Sequence, residues 1–266
     1  MALIYGDETR KIIGHLMDVH NQIGPGLDEF VYQDACEERF RSASISFRSQ
    51  CSNWLLHRNQ KVKELIPDFL IEGKFILELK AIFPEVPRIS YAQIINYCKL
   101  FDVDLGLIAN FGLQSLNWKR VPFTPRTGPT EILEKEVLRN LGAPQSALFS
   151  QVIQAICEIF EIHTLGYTED IYSAILMVEL ERIGLRIHKH PMVKPQYPGS
   201  RGKQVQVPVI LIENICAVYV SSLYRTVPAA LLARMRTYLK FLSIPIGLIV
   251  NFGTDRLQIK CVTSRF

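Results

Sequence analysis

The chain has no apolar run near the roughly 20 residues that a helical membrane span needs. Its first eight residues, Met1 to Glu8, carry neither the basic nor the apolar stretch of a secretory signal. A cytoplasmic protein that makes no use of the membrane is therefore expected. Cysteine is sparse: Cys36, Cys51, Cys98, Cys157, Cys216 and Cys261 are scattered singly with no C-x-x-C pair. Nothing in that spacing suggests a zinc or iron–sulfur centre, and most are expected to be buried thiols in a reducing compartment. No long polar or Ser/Gly-rich tract dilutes the chain, which excludes extensive disorder. A large charge excess is missing too, because a net +4 is too small to argue for nucleic acid by itself. Its distribution is uneven: residues 1–125 hold 14 Lys+Arg against 15 Asp+Glu, and residues 126–266 hold 16 against 11. The basic second half suits a phosphate backbone, or is ordinary surface variation.

What is present is 266 residues with 48% hydrophobic content, enough for two domains of common size. An internal repeat supports that division. Residues 103–112, Val-Asp-Leu-Gly-Leu-Ile-Ala-Asn-Phe-Gly, recur 141 positions later as 244–253, Ile-Pro-Ile-Gly-Leu-Ile-Val-Asn-Phe-Gly, with six of ten identical. At the same offset Ala92, Tyr97 and Lys99 fall on Ala233, Tyr238 and Lys240; at an offset of 140, Gly26, Glu29 and Tyr32 fall on Gly166, Glu169 and Tyr172. The chain reads as a duplicated domain, 1–122 and 146–266. A linker over 123–145 is marked by Pro122, Pro125, Gly128, Pro129, Gly142 and Pro144 around a helix-like stretch from Thr130 to Asn140.

In the first copy Ile12, Leu16, Val19 and Ile23 recur at helical spacing until Gly24-Pro25-Gly26 breaks the helix. A second helix is predicted over 28–41, then β-rich segments over 45–56, 64–71 and 75–80, with Glu72-Gly73-Lys74 turning a hairpin. A helix over 89–101 and strands over 105–110 and 113–121 complete the copy. The second copy repeats the order with helices over 150–162, 169–183 and 228–242 and strands over 185–193, 204–212, 215–222, 246–251 and 256–262.

Charged residues in apolar strands carry the chemistry. Asp68 lies on one arm of the predicted hairpin, and Glu78 and Lys80 lie on the other, two apart and so on one face. Burying such charges is costly unless they pair or bind a cation. Two carboxylates at hairpin distance make an oxygen-rich site of the kind Mg2+ takes, completed by water and substrate phosphate. Lys80 beside them is suited to orient or deprotonate the attacking water, or to stabilise charge on the phosphorane. The alternative is a structural ion-pair cluster on the sheet.

Pro67-Asp68, nine intervening residues and Glu78-x-Lys80 resemble the signature of the PD-(D/E)XK nuclease superfamily. The order helix, three strands, helix, strand resembles its restriction-endonuclease-like α-β-β-β-α-β core, an α/β fold with a mixed central sheet flanked by helices. More narrowly, Gly26-Leu27-Asp28-Glu29-Phe30-Val31-Tyr32 is similar to the motif of the GxxExxY proteins. Val19-His20, Gln93-x-x-x-Tyr97 and Asn110-Phe111-Gly112 also fit that branch, over about residues 9–121. The resemblance implies that Asp68 and Glu78 are metal ligands, with the Leu79 carbonyl a third and Glu29 an additional acidic ligand or water-orienting group. It implies Lys80 as the catalytic lysine and Gln93 as a residue that holds substrate or the lysine. The cofactor would be Mg2+, with Mn2+ able to substitute, and the reaction hydrolysis of a nucleic-acid phosphodiester, DNA favoured over RNA.

Blander readings stand beside these. Glu29 is favoured at a helix start by the dipole alone and persists as Glu169. Tyr32, Tyr97, Tyr172 and Tyr238 read as packing residues, Asn110-Phe111-Gly112 as a turn after a buried strand, His20 as a core or boundary residue, and His188 and His190, with His163 nearby, as ordinary surface rather than a metal site.

The second copy has Val209 for Asp68, Tyr219 for Glu78, Ser221 for Lys80 and Arg234 for Gln93, although Ile210, Ile212, Val218 and Val220 keep the apolar framework. It reads as a pseudo-nuclease domain, with Arg234 and Arg236 as candidates for nucleic-acid grip and an intramolecular pseudo-dimer as a further expectation. A non-catalytic nucleic-acid- or partner-binding protein with a relic site is the rival function, and a dimerisation module a third.

Overall fold

In a computed structural model the fold is described for residues 4–134, 136–139, 141–195, 202–222, 224–253 and 255–264. The chain divides into two compact units, residues 1–55 with 63–124, and residues 125–266 with 56–62.

Along the chain as far as Pro122, a stretch that is the first unit apart from residues 56–62, α1 (Gly6–Ile23) and α2 (Glu29–Ser42) precede β1 (Phe47–Ser49), β2 (Asn53–His57), β3 (Gln60–Leu65), β4 (Phe69–Ile71) and β5 (Phe75–Lys80); α3 (Arg88–Leu100), β6 (Leu105–Asn110) and β7 (Asn117–Pro122) follow. The five-stranded sheet runs β1-β4-β5-β6-β7, parallel between β5 and β6 and antiparallel elsewhere. The parallel pair needs a crossover, which α3 supplies. The stripe Ile12, Leu16 and Val19 of α1 and Tyr32, Cys36 and Phe40 of α2 cover the face that presents Phe75, Leu77 and Leu79. Glu78 and Lys80 alternate onto the opposite face of β5, against which α3 packs.

The β-rich stretch 45–56 is two strands rather than one. Gln50 has φ 47° and donates its backbone N–H to the carbonyl of Asp68, ending β1. After it β2 leaves the sheet to pair with β3 as a separate hairpin.

The second unit contains β8 (Thr130–Leu133), α4 (Glu136–Arg139), α5 (Ala143–His163), α6 (Glu169–Arg182), β9 (Ile187–Lys189), β10 (Met192–Val193), β11 (Val205–Gln206), β12 (Ile210–Ile212), β13 (Cys216–Ser221), α7 (Ala229–Leu242), β14 (Ile246–Phe252) and β15 (Leu257–Thr263). Its six-stranded sheet runs β8-β15-β14-β13-β12-β9. The helix-like stretch from Thr130 begins as a strand, because β8 finds a parallel partner in β15, and is helical only over α4; its end at Asn140 lies outside the described residues. The two units are thus tandem α/β domains with mixed sheets flanked by helices. Among the described residues no helix is long and apolar enough to cross a membrane.

The repeated motifs have structural roles. The Tyr32 hydroxyl donates to the Gly24 carbonyl (2.8 Å) and accepts from the Leu27 N–H (3.2 Å), pinning the loop that leads into α2. Tyr172 does the same with Thr164 and Tyr167. Each tyrosine stacks on the phenylalanine of its Asn-Phe-Gly motif, Tyr32 on Phe111 at 4.6 Å and Tyr172 on Phe252 at 3.8 Å. The asparagine is more than a turn residue. Asn110 accepts from the Ile82 N–H (2.9 Å) and donates to its carbonyl (2.8 Å), clasping the segment after β5, and Asn251 donates to the Tyr224 carbonyl. The glycine permits this approach, since a Cβ at Gly112 would run into the Ile82 backbone. Gly112→Ala is therefore expected to destabilise the protein by about 1–3 kcal/mol, read by chemical unfolding; an unchanged midpoint would refute the clasp.

Inside the second unit lies a buried polar cluster. His57, at the tip of the β2–β3 hairpin, sets Nδ1 2.9 Å from His163 Nε2 and Nε2 2.8 Å from Glu179 Oε2. Arg58 and Arg182 donate to the same carboxylate. His163, noted only as lying near His188 and His190, is a buried partner of His57.

Candidate active site

The three charged residues Asp68, Glu78 and Lys80 lie together and are buried, at 8%, 2% and 9% exposure. The β4–β5 hairpin sets them together. Asp68 stands just before β4, and its Oδ2 accepts the Leu79 backbone N–H at 2.7 Å across the hairpin. Lys80 Nζ donates to Glu78 Oε1 (2.9 Å) and to the Leu79 carbonyl (2.7 Å) and lies 3.4 Å from Glu29 Oε1. Glu29, at the start of α2, thus lies beside the cluster. Gln93 lies one step away, donating to the Tyr97 hydroxyl at 2.6 Å.

The electrostatics follow from crowding two buried carboxylates around one ammonium. Burial, then the Asp68 charge, pushes Glu78 up to about 7 against the pull of Lys80. Burial raises Asp68 as well, opposed by the Leu79 N–H, Lys80 and Gln50. Glu29 is raised by burial in the face of Lys80. For Lys80 burial alone would favour the neutral amine, but Glu78, Glu29 and Asp68 outweigh it and the group is raised. Tyr97 feels the same charges: burial first, then Glu78, push its hydroxyl up to about 12.

Among the described residues no three His, Cys, Asp or Glu side chains form a ready-made metal cluster. The ammonium of Lys80 instead touches the oxygens of Glu78 and Leu79 that a cation would use. The donor set nevertheless fits a hard divalent ion: carboxylate and carbonyl oxygens only, with Glu78 Oε2 buried and without a hydrogen-bond partner. A buried orphan of this kind calls for an explanation, and an ion is one.

One family model, described as PD-(D/E)XK nuclease superfamily, matches the chain twice, over residues 6–121 and 146–262. The chain belongs to the PD-(D/E)XK nuclease superfamily. It carries two tandem copies of that family's domain. Among curated proteins no match was found. A solved structure described as "Crystal structure of SSO0001" is similar at 14% identity and a TM-score of 0.31, covering 59% of this chain and 76% of that one.

Within the PD-(D/E)XK frame the second unit lacks the charged cluster. Val209 and Tyr219 stand where the first unit has its carboxylates, and Ser221 where it has the lysine, its Oγ buried and unpartnered. Arg234, on α7, hydrogen-bonds Tyr219, whose hydroxyl is raised mainly by burial and then by Glu169. Arg236 is half-buried on the same helix.

Sequence reasoning missed Gln50. Its Nε2 donates to Asp68 Oδ1 (3.1 Å) and to Gln33 Oε1 (3.1 Å), while its backbone holds the Asp68 carbonyl. No motif marks it. The only signal is the repeat, since His190 takes the same position 140 residues later with φ 50° and the same bond to Val209.

Proposed function

We propose that the first copy is a metal-dependent nuclease that hydrolyses nucleic-acid phosphodiester bonds, DNA favoured, and that the second is a pseudo-nuclease used for binding or scaffolding. In this reading the copies extend over 1–122 and 146–266, joined through 123–145, and the motif around Glu29 is taken as that of the GxxExxY branch. The observation that carries this reading is the buried Asp68–Glu78–Lys80 cluster with the unsatisfied Glu78 Oε2, because a buried excess of carboxylate is costly unless a cation balances it.

Asp68, Glu78 and the Leu79 carbonyl would hold Mg2+ or Mn2+, with Glu29 as the fourth, more exposed oxygen ligand. When bound, the ion supplies Lewis acidity toward the phosphate and lowers the pKa of water. Lys80 orients the attacking water and offsets negative charge as it develops on phosphorus. Asp68 is held for its part by Gln50 and the Leu79 N–H. Gln93, hydrogen-bonded to Tyr97, which feels the charges of the cluster, positions substrate. In the second copy Arg234 and Arg236 grip the phosphate backbone.

The test incubates the full chain with labelled single- and double-stranded DNA and RNA in magnesium, manganese and EDTA. Cleavage in either metal, abolished by EDTA and absent from an Asp68→Ala, Lys80→Ala variant, is the expected result. No cleavage by a folded wild type, with salt-sensitive binding retained, would replace the nuclease with a nucleic-acid-binding protein that keeps a relic site.

A further inference from the structure

Exposed apolar side chains surround the candidate site in sequence. Phe83 is 81% exposed, Ile89 66%, Phe30 63% and Leu27 49%. Phe30 directly follows Glu29, whose carboxylate lies 3.4 Å from Lys80 Nζ. Phe83 is three residues beyond Lys80, so even a fully extended chain places it within about 11 Å of the lysine backbone. Neither sits on a slack segment. Asn110 clasps Ile82, the neighbour of Phe83, and the Tyr32 hydroxyl pins the loop ahead of Phe30. Large aromatics held out in water by a bonded backbone are available to a partner.

The degenerate copy indicates what that partner is. Where the first unit has Leu27, Phe30, Phe83 and Ile89, the second has Tyr167, which is buried, Asp170, the less exposed Tyr224 at 37%, and Ala230. Two of the four positions, those of Phe30 and Ile89, lose their large apolar side chain where the carboxylate–lysine cluster is lost and a third is buried, while an exposed ring persists at Tyr224; the fold is therefore kept without most of the rim. The first 125 residues carry no basic excess, 14 Lys+Arg against 15 Asp+Glu, so a long-range grip on duplex phosphates is weak there. Aromatic faces instead bind unpaired bases, without regard to sequence.

We infer that the substrate is a single strand whose unpaired bases stack on Phe83 and Phe30 while its phosphate meets the Asp68–Glu78–Lys80 cluster. This deepens the nuclease reading and rests on it. A closed duplex, whose bases face one another, cannot stack in this way.

The test measures anisotropy of labelled dT20, rU20, a dT20–dA20 duplex and an abasic strand of equal length, with the full-length protein in EDTA so that binding is read apart from cleavage. Both base-bearing single strands should bind about tenfold more tightly than the duplex and the abasic strand. Phe83→Ala and Phe30→Ala should each lose several-fold of that affinity and leave the abasic strand unaffected, and Phe83→Trp should restore it. A preference between dT20 and rU20 identifies the sugar. Equal affinity for base-bearing and abasic strands, or silent phenylalanine variants, would overturn the inference, as would a self-association that Phe83→Ala abolishes with no effect on nucleic acid. Cleavage of the same substrates in magnesium separates the two readings. Stacking without cleavage removes the nuclease alone, whereas equal cleavage of duplex and single strand by wild type and Phe83→Ala removes the stacking wall alone.

Discussion

Lys80→Ala is expected to lower the cleavage rate about 10^2–10^3-fold, the loss typical of removing one preorganised electrostatic contact from a transition state, and to leave cation binding intact. The geometry separates the two effects. Lys80 Nζ contacts Glu78 Oε1 and the Leu79 carbonyl, both oxygens a cation would claim, so removing the ammonium takes a competitor away while the ligands remain. The converse variant, Glu78→Gln, keeps the lysine and loses the charge that attracts the ion. Single-turnover rates across a range of Mn2+ concentrations distinguish them: Lys80→Ala saturates at ordinary metal with a low plateau, whereas Glu78→Gln requires far more metal. A Lys80→Ala plateau equal to that of wild type would remove the lysine from catalysis and leave it as a counter-ion.

The second large effect concerns stability. Glu179→Ala should cost the protein about 3–5 kcal/mol, as breaking a buried ion cluster commonly does, because it strips His57, Arg58 and Arg182 of a shared, fully buried carboxylate. Adding His57→Ala to Glu179→Ala should cost less than the two losses summed, since the residues act as one unit. The pH dependence has a definite sign. Arg182, with Arg58 and His57, holds Glu179 down to about 2 against burial, below its unfolded value. Its contribution is therefore present above the ordinary carboxylate range and lost as pH falls toward 2. That linked part is at most about 3 kcal/mol, because Arg58 and Arg182 are each more than a third exposed and screened. Thermal unfolding at pH 7 and pH 3 reads both effects. A Glu179→Ala midpoint within a degree of wild type would contradict the account.

Local pattern in the sequence marks some of these elements, and distant pairing hides others. The β4–β5 hairpin was legible because both arms are uniformly apolar apart from Asp68, Glu78 and Lys80, and because Glu72 and Gly73 take the positive φ of a tight turn. The duplication was legible from Asn110-Phe111-Gly112 and its echo at 251–253. What that motif does was not, since the clasp on Ile82 is a contact 28 residues away. Strand β8 was hidden by its context: four residues among prolines and glycines have no strand pattern until β15, more than 120 residues later, pairs with them. The His57–His163–Glu179 cluster was invisible for the same reason, as its members lie 106 and 122 residues apart. Gln50 had no signal in its own copy, because a side chain that positions Asp68 from a loop follows no period.

On the proposed function the first copy, and not the second, is expected to hold a divalent cation on Asp68 and Glu78. Calorimetric titration of Mn2+ into the full chain at pH 6 and pH 8 tests it most directly. With Glu78 pushed up to about 7, the proton competes with the metal below that value and is gone above it, so affinity should be about tenfold higher at pH 8. The account predicts one ion per chain, lost in Glu78→Gln and kept in Lys80→Ala. Binding that survives Glu78→Gln unchanged, or no binding at either pH, would contradict it.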